Sequence, residues 1–114
     1  MKGGVNMELR ELQAIVHQTA LDHGWWDKPR EFGDIIALMH TELSEAYEKY
    51  REGHAVQDWW FTEGKPEGVP IELVDVVIRI LDFFGHEGLD LNTLVQIKDS
   101  YNGSRPYRHG DKVT

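Results

Sequence analysis

The chain of 114 residues contains no cysteine. Disulfides, thiolate nucleophiles and structural zinc sites of the cysteine type are therefore excluded. It also lacks any apolar run approaching the roughly 18 residues of a membrane span. The opening residues MKGGVNMELR have no apolar stretch of the signal-peptide kind. Positive charge is scarce: 12 Lys and Arg stand against 20 Asp and Glu, a net charge of −8. Binders of nucleic-acid polymers or anionic membranes need a basic footprint, so neither partner is expected. The expected location is cytoplasmic.

What is there reads as one domain over residues 1–114, with 1–6 a loose leader and 104–114 an extended tail. A hydrophobic fraction of 40% supports a core, yet so short a chain gains from burying more surface in an oligomer. Apolar residues recur at helical spacing in four stretches, and no strand is expected. The first runs from about Met7 to His23, with Asn6 as cap and Leu9, Leu12, Val16 and Ala20 on one face. The second runs from about Arg30 to Glu52. The third starts near Pro70 and stops at Gly85, and the fourth follows the capping residue Asp90 and ends at Gly103. The connector GHAVQDWWFTEGKPEGV is long for a small domain, and such loops are usually functional or disordered. Its aromatic run Trp59, Trp60 and Phe61 is expected to pack at a subunit interface. The fold class is all-α, a four-helix bundle-like domain.

The third stretch is apolar around most of its circumference. Its polar residues form one narrow strip, Glu72, Asp75, Arg79 and Asp82. Two readings are open. The strip is a small solvent face in which Arg79 pairs with Asp75 or Asp82; or Glu72 and Asp75 point into a polar cleft, where a divalent cation would offset their charge. The second helix carries a matching pair, Glu42 and Glu45, at the edge of its apolar side. Oxygen-only ligands select hard cations such as Mg²⁺ or Mn²⁺ over zinc.

E42-L-S-E45 followed by E72-L-V-D75 resembles the E-x-x-E … E-x-x-D signature of the MazG-like nucleoside triphosphate pyrophosphohydrolases. WWDKPREFGD, HTELSEAYEKYREG, GKPEGVPIELVDVVIRILDFFG and the ending Y-N-x-x-R-P-Y-R-H-G-x-K resemble the short, single-domain branch. The likeness runs from about residue 9 to 112. It implies an all-α fold of the NTP pyrophosphatase type, assembled as a homodimer or homotetramer. It implies hydrolysis of a nucleoside or deoxynucleoside triphosphate to the monophosphate and pyrophosphate, with Mg²⁺ held by Glu42, Glu45, Glu72 and Asp75 and Mn²⁺ as a substitute. It further implies substrate contacts from Trp25 and Trp26 at the base, from Lys98 and Asn102 in the fourth helix, and from the tail residues Arg105, Tyr107 and Arg108. Some relatives place another glutamate immediately before the first motif acid, read as the general base. Thr41 stands there in this chain, so the base is open, with Glu45 the first choice and Glu42 the second. The competing readings are a pyrophosphohydrolase of another substrate, such as phosphoribosyl-ATP or dUTP, and a non-catalytic helical assembly protein.

Overall fold

The computed structural model describes residues 7–108. The elements run α1 (Leu9–Asp22), α2 (Phe32–Arg51), β1 (Trp59–Thr62), β2 (Lys65–Gly68), α3 (Val69–Glu87) and α4 (Leu91–Ser104). The expected helices are present. The expected capping residue Asn6 lies outside the described residues; Glu8 holds the cap position, where its backbone N–H donates to Glu11 Oε1 at 3.4 Å. Asp90 caps α4, accepting from the N–H groups of Asn92 and Thr93. The same junction ties α4 to α1. Arg10 donates to Asp90 at 2.7 Å and to Thr93 at 3.2 Å, while Gln13 donates to the carbonyl of Leu89 and accepts from the N–H of Leu91.

Three expectations need correction. The long connector contains an antiparallel hairpin: β1 pairs β2 with Trp59 opposite Gly68 and Thr62 opposite Lys65. Its turn, Glu63–Gly64, has two successive positive φ angles of 51° and 83°, as a hairpin turn matching strand twist requires. The usual Asn-Gly or Asp-Gly signal is replaced by Glu-Gly, and Pro66 sits within β2, so the sequence reads as a loop. Gly85 does not end α3. The helix passes through it to Glu87, and Gly88 closes it in the left-handed conformation. Likewise α4 continues past Gly103 to Ser104. Gly85 instead marks a close approach of α1 to α3, since a Cβ there would lie 2.6 Å from Cβ of His17.

Helix α3 is central, packed against α2 and α1 and preceded by the hairpin. Among the described residues only Ile35, Ala46, Val69 and Leu81 are buried apolar side chains. Leu73, Val74, Val77 and Ile78 on α3 remain 41–49% exposed. The radius of gyration is 16.8 Å, against about 13 Å for a compact chain of this length. A single chain therefore covers only part of its apolar surface. No helix among the described residues is long and apolar enough to cross a membrane.

The close approach at Gly85 has a measurable consequence. Gly85→Ala should lose about 1–3 kcal/mol of stability in urea denaturation, because α1 must shift. Gly33→Ala, where an added Cβ meets nothing within 4 Å, should instead gain up to about 1 kcal/mol. Equal behaviour of the two variants would show that the approach of His17 imposes no constraint.

Candidate functional site

The polar strip of α3 faces other helices rather than solvent. Arg79 pairs with neither Asp75 nor Asp82. It reaches across to α2, where Nε and Nη2 both donate to Glu42 Oε1, at 3.2 and 2.8 Å. Glu42 is itself buried, 8% exposed, and so is Asp82. These two carboxylates are compensated by hydrogen bonds from neighbouring elements, as buried charge demands. Because Arg79 uses only one oxygen of Glu42, Oε2 is left for another partner.

Glu42, Glu45 and Glu72 each bring one carboxylate oxygen within 4.8 Å of the others. Spacing of three positions on α2 and the packing of α2 on α3 produce this convergence. Asp75, one turn beyond Glu72, stands beside the trio. It lines a cavity of about 230 Å³ with Glu42 and Arg79, between α1, α2 and α3. Glu72 is the least satisfied member: its Oε2 is buried and has no hydrogen-bond partner. Burial, followed by the adjacent Glu45 carboxyl, pushes the Glu72 carboxyl up to about 7. Asp75 is also raised, first by burial and then by Glu42, with Arg79 opposing. An all-oxygen donor set, a partnerless buried oxygen and mutually repelling carboxylates together fit a hard divalent cation.

The flanking residues separate into groups. Trp25 is exposed and lines the 230 Å³ cavity, as does Arg30. Its neighbour Trp26 is half-buried, with Nε1 donating to Asp82 and one ring face stacked 3.6 Å from His86. Lys98 and Asn102 line a different concavity with Phe84 and Leu94, which includes none of the four carboxylates. In the tail, Arg105 lies 5.6 Å from the Tyr101 ring, Tyr107 is 83% exposed and Arg108 is exposed as well. The expected tail also includes 109–114, outside the described residues. Thr41 Oγ1 donates to the carbonyl of Ala37 at 3.0 Å, so its hydroxyl is spent on the helix backbone.

The structure adds residues that the sequence reading did not single out. Lys65 and Glu67, two residues apart on β2 and so on one face of it, share a concavity with Glu45, Lys49 and Glu72. Lys49 pairs with Glu67 at 3.5 Å and ties the hairpin to α2. Lys49 follows Glu45 by four positions on α2, a helical spacing that the sequence does carry, whereas Lys65 could not be placed because the hairpin was not legible.

No family model, curated protein or solved structure matches this chain.

The raised Glu72 has a signed effect on stability. The folded state holds its proton more tightly than the unfolded state, in which the ordinary value is 4.5. This contribution is complete below that value and disappears as pH rises through about 7. Asp75 acts in the same sense. Glu67 and Asp90, both held below their usual values by hydrogen bonds, act oppositely and at lower pH. In chelator, Tm should therefore fall from about pH 5 to about pH 8, and Glu72→Gln should flatten that slope. Added Mg²⁺ should raise Tm more at the alkaline end, where the carboxylates are free of protons. A Mg²⁺ effect independent of pH would separate Glu72 from the metal.

Proposed function

We propose that this chain is a Mg²⁺-dependent pyrophosphohydrolase of nucleoside or deoxynucleoside triphosphates, similar to the MazG-like enzymes. The observation that carries the reading is Glu72 Oε2, buried and partnerless in a cluster of three glutamates. A helix that needed only solubility or packing would not enclose such a group, whose burial is costly when uncompensated. Glu42, Glu45 and Glu72 would hold the ion, with Asp75 beside them. The chemistry such an ion supplies is neutralisation of phosphate charge.

The chain's own residues do the rest. Lys65 and Lys49, beside the cluster, are suited to the outer phosphates, as point charges on flexible stems. The exposed ring of Trp25 offers a stacking face for a base at the mouth of the cavity. Water attacks the α-phosphorus, the bond to the bridging oxygen breaks, and pyrophosphate leaves. Glu45 is the first choice to accept the water's proton, because Arg79 already holds Oε1 of Glu42. Lys98, Asn102, Arg105, Tyr107 and Arg108 belong to this reading as substrate contacts, with a second subunit bringing them to the acids.

The exposed apolar groove between α2 and α3, lined by Leu43, Tyr47, Tyr50, Val56 and Leu73, supports self-association as a homodimer or homotetramer. In β1, Trp59 and Phe61 are exposed while Trp60 packs near His54, so the two outward rings join the same interface. Tyr47→Asp, at an exposed residue of that groove, should convert the assembly to monomer in size-exclusion chromatography with light scattering. A wild-type chain that already runs as a monomer would remove the shared-site arrangement.

The decisive measurement is pyrophosphate release across a panel of NTPs and dNTPs with Mg²⁺ and Mn²⁺, extended to dUTP and phosphoribosyl-ATP. Glu45→Gln should lower kcat by roughly 100-fold or more while Tm is retained. Near-normal turnover by Glu45→Gln would remove it as the base. Absence of both release and Mg²⁺ binding across the panel would favour the assembly protein.

A further inference from the structure

Asp82 lies two helical turns beyond Asp75 on the same strip of α3, yet it belongs to neither acidic pair. It is buried, and its partners come from two other parts of the chain. His17 Nδ1 on α1 lies 2.7 Å from Oδ1. Trp26 Nε1, in the connector from α1 to α2, donates to Oδ1 at 2.9 Å and to Oδ2 at 3.1 Å. A carboxylate only accepts, so His17 donates through Nδ1–H. Both donors are charge-assisted and part-buried, the stronger class of hydrogen bond.

Trp26 is held on further sides. His86 stacks on it with ring planes 7° apart. The Arg30 guanidinium lies 4.9 Å from the ring centroid. His17 meets it edge-on, with centroids 6.3 Å apart. A ring so enclosed has little face left for a ligand. It does determine where its neighbours stand: Trp25 is the adjacent residue, and Arg30 packs on Trp26 directly. Trp25, Arg30 and Asp82 all line the cavity that Glu42 and Asp75 close at its other side.

We propose that Asp82 is a positioning residue for nucleotide binding, fixing Trp26 and His17 so that Trp25 and Arg30 form a rigid wall of the cavity beside the acidic cluster. The proposal rests on the pyrophosphohydrolase reading, and it assigns Asp82 to binding rather than to the chemical step. It also divides the adjacent tryptophans by role: Trp26 is a support, and Trp25 is the surface it supports.

The test is steady-state kinetics on the best substrate of the panel. Asp82→Ala leaves two part-buried N–H groups without an acceptor and frees the wall. It should raise KM by roughly tenfold with kcat within about threefold of wild type. Asp82→Asn keeps an oxygen at the Oδ1 position, where both donors converge, and should restore KM to within about threefold. Trp26→Phe keeps a stacked ring but deletes the N–H, and carries the test if Asp82→Ala does not fold. Its KM should rise by roughly threefold or more with kcat unchanged. In ¹⁵N–¹H spectra the Trp26 indole N–H should be protected from exchange in the wild type and in Asp82→Asn, and lose that protection in Asp82→Ala. An active wild type whose KM is untouched by these changes, or whose kcat alone falls, overturns the positioning role. An inactive wild type overturns the pyrophosphohydrolase reading itself.

Discussion

Four charged residues on one narrow strip of α3 lie against neighbouring elements, Asp82 buried and the other three half-buried, and each must find compensation there. Moving from the C-terminal end of the helix toward its start, the compensation becomes progressively less complete. Asp82 has two N–H donors from α1 and the connector. Arg79 is matched by Glu42 of α2. Asp75 has no hydrogen-bonded donor among the described contacts, and burial raises its pKa. Glu72 keeps a buried oxygen that no N–H or O–H donor reaches, beside the Glu45 carboxyl. The strip is thus a gradient from a satisfied end to an unsatisfied one. The unsatisfied end is where an external positive charge would be most stabilising.

That gradient also explains the economy of the fold. The opposite sides of α3 must be apolar, because neighbours approach from several directions, and in one chain they do not all arrive. Four buried apolar side chains among the described residues are few for a domain of this length. Exposed Leu73 on α3 adjoins exposed Leu43 and Tyr47 on α2, and Val74 and Val77 are exposed further along α3. The same two helices therefore carry the acids on one aspect and uncovered apolar surface on another. Any partner that covers the second aspect stiffens the first, since the carboxylates ride on the helices it would clamp.

Most of the helical architecture was legible because helix periodicity is a local signal, repeated every few residues over long segments. Both E-x-x-[ED] pairs were legible for the same reason. What was not legible depended on contacts between distant segments. The hairpin escaped because its strands are four residues long, contain Pro66, and turn at Glu63–Gly64 instead of a usual signal. Gly85 resembles a helix stop because a glycine's backbone freedom and its lack of a side chain look identical in sequence; only the approach of His17 shows which one is used. Arg79 had two acidic neighbours at helical spacing, so the local rule predicted an intrahelical pair. Its partner is instead Glu42, buried and distant in sequence; Asp82, equally buried, already has His17 and Trp26 as donors.

The two adjacent tryptophans show how closely fold and site are joined. Residues 25 and 26 differ by one backbone step, which sends their side chains in different directions from a turn. The polar edge of Trp26 is claimed by Asp82 and one face by His86, which pins the connector to the C-terminal half of α3. Trp25, the adjacent residue, lines the cavity with more than half of its surface exposed. An aromatic ring left exposed on a flexible loop would lose much of its value in binding, because ordering it would consume free energy at the moment of capture. Here the ordering is already done by its neighbour. One buried carboxylate thus joins α1, the connector and α3 beside the cavity; it lies seven residues beyond Asp75, and neither motif would have singled it out.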